Sequence, residues 1–204
     1  MLSYEEINNI VIDQLTNHRY IHTLGVIKSA VELSEIYNED KERAKLAALI
    51  HDIAKDIDEN EQIKLVREFS IKIDRISMVQ PSLFHGPLAS FMAERDFGIG
   101  DDEILKAIKY HTTGRANMSK LEKIIYLSDY IEVGRNFPGI ENLRREARNN
   151  LDKAMLLALD NSIQYIIKKH KLIHPFTIEA RNDILHKMYY NKEELINKEE
   201  FNVK

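Results

Sequence analysis

Apolar residues recur along this chain at spacings of three and four and almost nowhere in strict alternation, so the pattern predicts helices from one end to the other. Ile7, Ile10, Val11 and Leu15 trace one stripe over residues 4–16, opened by Ser3-Tyr4-Glu5-Glu6 with the spacing of a capping box. A second stripe runs from His18 toward Tyr37 through Ile21, Leu24, Ile27, Val31 and Leu33. Asp40 is placed to cap a third helix, which ends in the apolar run before His51-Asp52. Further helices are predicted over 59–69, from His85-Gly86-Pro87 to Gly98, from Asp101 to His111, and from a second capping box at Ser119–Glu122 to Asp129. Two more follow over 140–150, read as a solvated charged face, and 152–169, read as core, before a last helix capped by Thr177. Residues 70–84, with Pro81, read as irregular, and from Asn191 the chain is charged without an apolar stripe and is expected to fray. The prediction is all-α: one domain over 1–190 and a charged tail over 191–204.

Polar groups interrupt these stripes. A buried imidazole beside a buried carboxylate, as at His51-Asp52, costs several kcal/mol unless paired, hydrogen-bonded or bound to a metal. Taken alone the pair is an ordinary helix end, but His22, His85, His111 and Asp129 also stand on or at the end of helical patterns. Asp129 follows Ile125 by one turn and so faces inward. Imidazole with carboxylate suits iron, manganese, zinc or cobalt rather than calcium or magnesium alone. Lys55, one turn beyond Asp52, reaches the same cavity and can hold a phosphate as a point charge; its plain alternative is a solvated lysine at a helix end. Arg135 can fork onto phosphate oxygens, and Thr112 offers a hydroxyl to phosphate or nucleoside. His174 and Phe176 can flank a base, while Thr177 and Arg181 sit at a helix N-terminus, which attracts anions. His18 reads as a surface residue or a support for His22.

Composition narrows the classes. The absence of cysteine excludes disulfides and thiolate ligands. With 29 basic against 33 acidic residues, a formal charge of −4, the chain is not expected to bind nucleic-acid polymers through a basic surface. Its first residues lack the order of a signal peptide, and no apolar run approaches the ~18 residues of a membrane span, so a cytoplasmic protein is expected. The oligomeric state is left open, a homodimer included.

The order His22, His51-Asp52, His85, His111, Asp129 resembles the HD superfamily of metal-dependent phosphohydrolases. Arg19-Tyr20-Ile21-His22-Thr23, His51-Asp52-Ile53-Ala54-Lys55, Phe84-His85-Gly86, Tyr110-His111-Thr112-Thr113-Gly114, Ser128-Asp129-Tyr130-Ile131-Glu132 and Glu179-Ala180-Arg181-Asn182 are similar to one bacterial subfamily, the HD-domain symmetrical dinucleoside tetraphosphatases, over roughly residues 18–182. The resemblance implies that His22, His51, Asp52 and Asp129 hold a first metal, that this metal is iron, mononuclear or dinuclear, and that diadenosine tetraphosphate is cut into two ADP. Asp52, Lys55, His85 and His111 are then the candidate catalytic groups, and Arg19, Lys55, His85, His111, Thr112, Arg135, His174, Thr177 and Arg181 the candidate substrate contacts. Whether His85 and His111 bind a second metal or the substrate stays open. The rivals are an HD phosphohydrolase for nucleoside monophosphates or cyclic nucleotides, a di-iron oxygenase, and a nucleotide sensor without turnover.

Overall fold

A computed structural model describes the backbone of residues 1–201 and the side chains of residues 1–190. The described residues form helices α1 (Tyr4–Gln14), α2 (Asn17–Ile36), α3 (Lys41–Ile50), α4 (Glu59–Glu68), α5 (Arg75–Val79), α6 (His85–Arg95), α7 (Asp102–Tyr110), α8 (Lys120–Ile131), α9 (Ile140–Asn149), α10 (Leu151–Lys168) and α11 (Pro175–Phe201), with one 3₁₀ turn at Pro81–Leu83. The fold is all-α. No described helix is long and apolar enough to cross a membrane.

Local chemistry sets the helix ends. Both capping boxes close: the Ser3 and Ser119 hydroxyls accept the amides of Glu6 and Glu122, whose carboxylates reach back to the cap amides. Asp40 accepts the amides of Glu42 and Arg43, starting α3. Thr16 caps α2, and Asp56 accepts both its amide and its hydroxyl at 2.8 and 2.9 Å, tying the start of α2 to the turns after α3.

Helix α3 is the hub. Ala44, Ala47, Ala48, Leu49 and Ile50 are fully buried, and the small residues let α2, α7 and α8 pack closely around it. Each fully buried Leu or Ile contributes roughly 1.5–3 kcal/mol. Helix α6 lies on α7, and α10 packs against α8 while carrying α9 and α11. All the elements that meet α3 are thereby fixed relative to its C-terminal end.

Three expectations change, and a fourth falls largely outside the described residues. The stretch read as irregular contains α5, which Asp74 caps by accepting the amides of Ile76 and Ser77; at five residues it is too short to show periodicity. Thr177 does not cap α11: the helix starts at Pro175, Thr177 is buried in its first turn, and His174 Nδ1 accepts the Phe176 amide at 3.1 Å. Proline suits that first position because its missing N–H would have had no helical partner. Helix α9 is not simply a solvated face, since Ile140, Leu143 and Ala147 are buried and the Arg144 guanidinium donates to the carbonyls of Ile131, Glu132 and Arg135. Finally, α11 runs on to Phe201, and the side chains of the expected fraying tail lie outside the described residues.

Candidate metal centre

Five helices bring the His and Asp residues to one place. His22 projects from α2, His51 and Asp52 stand where α3 gives way to turns, His85 opens α6, His111 closes α7 and Asp129 lies near the end of α8. Three imidazoles are held alike: Nδ1 of His51, His85 and His111 lies 2.7 Å from the carbonyl oxygen three residues earlier, at Ala48, Ser82 and Ile108. The ends of α3 and α7 leave such carbonyls without helical partners. An Nδ1–H donating there leaves Nε2 with its lone pair. His22 is oriented by a carboxylate instead, its Nδ1 being 3.3 Å from Glu132 Oε1.

The free nitrogens converge with two carboxylates. His22 Nε2 is 3.0 Å from Asp129 Oδ1, and the Nε2 atoms of His85 and His111 are 3.1 Å apart, each 3.4 Å from Asp52 Oδ1. Asp52 Oδ2 points the other way, 3.8 Å from His51 Nε2 and 4.0 Å from His22 Nε2. His22, His51 and Asp129 thus form one potential ligand group, and His51, Asp52 and His111 another. The Nε2 atoms of His22 and His51 are buried without a hydrogen bond. Buried polar atoms normally find partners, and lone pairs aimed with carboxylates at one space are what a divalent cation satisfies. These residues fit a divalent metal.

Electrostatics prepares the ligands for it. Burial pulls His51 down to about 4 and His85 well below the ordinary imidazole value, so both are neutral near pH 7. Burial also opposes ionisation of Asp52 and Asp129, but the imidazoles around them outweigh it and hold both below the usual carboxylate range. For His22 burial pulls downward, and Asp129 with Glu132 more than compensates. A neutral His51 and two ionised carboxylates bind a cation without giving up a proton.

Cations rim the cluster. Arg19 Nη1 is 3.1 Å from Asp52, with its Nε 3.5 Å from Asp56. Lys55 Nζ lies 3.1 Å from both ring nitrogens of His85, and burial lowers its pKa against the pull of Asp52 and Asp129. Arg135, in the loop after α8, folds back to donate to the Asp129 carboxylate at 2.5 Å and its carbonyl at 3.0 Å. Thr112 Oγ1 is 3.1 Å from His85 Nε2. His174 lines a neighbouring cavity with Thr112 and Phe176, and its Nε2 is 3.0 Å from Asp74. The structure does not bring Thr177 or Arg181 to the cluster: Thr177 is buried in α11, and Arg181 pairs with Asp160 on α10 at 2.8 Å.

Glu132 has no role in the expectations drawn from sequence, although it is buried, supports His22 and accepts the Gly134 amide at 2.5 Å. Its signal was an acid one turn after Asp129, two residues before a glycine. Gly25 on α2 makes room for it, since a Cβ there would stand 2.5 Å from Glu132 Oε2.

The HD domain family matches residues 19–134. The symmetrical bis(5'-nucleosyl)-tetraphosphatase of Halalkalibacterium halodurans is 43% identical over 176 residues, 86% of this chain and 94% of the relative. That of Bacillus subtilis is 37% identical over 181 residues, 89% and 97% of the two chains. The crystal structure of a predicted HD superfamily hydrolase involved in NAD metabolism from Clostridium acetobutylicum, 42% identical, superposes with a TM-score of 0.88 over 92% of this chain and 99% of that one. The chain belongs to the HD domain family and, within it, to the symmetrical bis(5'-nucleosyl)-tetraphosphatases.

Proposed function

We propose that this protein hydrolyses diadenosine tetraphosphate symmetrically, giving two ADP, with iron as the resident metal at the His/Asp cluster. The observation that carries this reading is the convergence of four imidazoles and two carboxylates inside a rim of Arg19, Lys55 and Arg135. A divalent metal bound there would supply polarisation of a phosphoryl oxygen and a lowered pKa for its water. His22, His51, Asp52 and Asp129 would hold it. Asp52, with one oxygen toward each ligand group, and His111 would allow a dinuclear site.

The remaining groups manage the phosphate chain. Phosphoryl transfer needs chiefly positioning and charge neutralisation, and Arg19 and Arg135 can exchange their carboxylate partners, and Lys55 its contact with His85, for phosphoryl oxygens. Lys55 Nζ stands ready to give a hydrogen bond to the departing diphosphate. His85, fixed by its bond to Ser82, can accept a hydrogen bond from the attacking water at Nε2, with the Thr112 hydroxyl beside it. We take residues 1–190 as one catalytic unit acting in the cytoplasm on a small dinucleotide rather than a nucleic-acid polymer.

The test is the earliest product of diadenosine tetraphosphate with Fe²⁺-loaded protein, separated by chromatography beside elemental analysis of the protein as purified. ADP alone is expected; equal AMP and ATP overturns the symmetrical cut.

A further inference from the structure

We propose that the cavity walled by Tyr130, Phe137, Tyr165 and Ile166 is a nucleobase subsite, taking one nucleoside of the dinucleotide while the cavity of Tyr110, His174 and Phe176 takes the other. The inference rests on the substrate reading above and adds a second base site to it. Both cavities measure about 360 Å³, within the range of small-molecule sites. They share one lining residue, Thr112, whose hydroxyl touches His85. The first cavity also has His111, Asp129 and Arg135 in its wall, so it opens on the candidate metal centre. A bridge of phosphates from one cavity to the other would therefore pass the cluster, with a nucleoside on either side.

The walls of the first cavity suit a flat heterocycle. The Tyr126 and Tyr130 rings are stacked 6.3 Å apart and 7° from parallel, and Phe137 meets Tyr130 edge-on at 5.4 Å. Across from them α10 supplies Ile166 and Tyr165, the latter 60% exposed, with the Lys169 ammonium over its ring at 5.8 Å. Tyr126 Oη and Ser162 Oγ, 3.3 Å apart, offer donors and acceptors to ring nitrogens or exocyclic groups. In the second cavity Phe176 packs on His174 at 4.8 Å and meets Tyr110 at 5.9 Å. Both His174 nitrogens are engaged, Nδ1 by the Phe176 amide and Nε2 by Asp74, so this ring offers its face rather than a hydrogen bond. Stacking of a base on an aromatic side chain changes affinity by roughly tenfold to a hundredfold.

Two measurements on the metal-loaded full chain test the assignment. The first compares kcat/KM for diadenosine tetraphosphate with that for adenosine 5'-tetraphosphate, which has one nucleoside. Wild type should prefer the dinucleotide, and Tyr165→Ala and Phe176→Ala, both at partly exposed positions, should each reduce that preference at least tenfold. An unchanged preference in Tyr165→Ala, or an equal loss on both substrates, overturns the subsite. The second needs no turnover: calorimetric titration with ADP should give two molecules bound per chain in wild type and one in Tyr165→Ala. One per chain in wild type overturns the proposal even where ADP is the sole product of cleavage, whereas AMP and ATP as products would instead overturn the symmetrical reading.

Discussion

Glu132 governs His22 from behind, because a ring held at Nδ1 by a carboxylate presents Nε2 in one direction only. Glu132→Ala should weaken metal affinity about 10–100-fold, while Glu132→Gln, which keeps an acceptor at Oε1, should lose less. Competition with a chelator of known affinity reads both, and equal affinity for all three proteins would remove Glu132 from this role. Gly25→Ala should act through the same carboxylate. Alanine is the better helix former by about 1 kcal/mol, yet its Cβ would meet Glu132 Oε2 at 2.5 Å, where the oxygen is buried and held by the Gly134 amide. Weaker metal binding with an intact helix signal is therefore expected, and tighter binding would show that the carboxylate yields.

Among the elements, α5 and the start of α11 are joined by Asp74. Its carboxylate caps α5, takes the Ser77 hydroxyl at 2.6 Å and pairs with His174. Burial opposes its ionisation, but Ser77 and His174 hold it well below the usual carboxylate range. A carboxyl lowered in the folded state contributes stability that is complete above its unfolded value of about 3.9 and is lost as pH falls toward the folded one. Melting temperature should thus drop more steeply below about pH 4 in wild type than in Asp74→Asn, and at pH 7 the variant, whose asparagine still caps α5, should be less stable by no more than about 1 kcal/mol, the weight of a partly exposed ion pair. Parallel melting curves would contradict this. Helices α6 and α7 depend on Gly86, whose Cβ would stand 2.7 Å from the Lys109 carbonyl oxygen. Gly86→Ala must push His85 away from His111 and should cut turnover more than it shifts melting; unchanged turnover would show that the two histidines need not be 3.1 Å apart.

The same elements explain what could be read from the chain. Capping is local, so Ser3 with Glu6, Asp40, and Ser119 with Glu122 announced their helices within four residues. The cluster was legible because its ligands stand in short motifs that resemble those of one family. Glu132 and Arg144 were not, because their roles exist only once the chain has turned back after α8: Arg144 then donates to the carbonyls of Ile131, Glu132 and Arg135, a tertiary contact that no periodicity encodes. For Arg181 the sequence offered a helix N-terminus, and the competing carboxylate of Asp160 on α10 decided its place.

At the scale of the molecule, five helices separated in sequence contribute to one centre, so a cation there would join α2, α3, α6, α7 and α8. Saturating metal at about 100 times its dissociation constant stabilises the folded state by about 2.7 kcal/mol, which for a chain of this length raises the melting temperature by roughly 5–10 °C. A chelator should abolish that shift, and Asp129→Asn should show little of it; a melting temperature indifferent to metal would place no cation in the cluster. The aromatic cavity has an optical consequence. The chain carries nine tyrosines and no tryptophan, so its near-ultraviolet emission is tyrosine emission alone. Tyr126, Tyr130 and Tyr165 all line one cavity, so a third of the intrinsic fluorophores report on a single chamber, and its filling should register as a loss of light without any label.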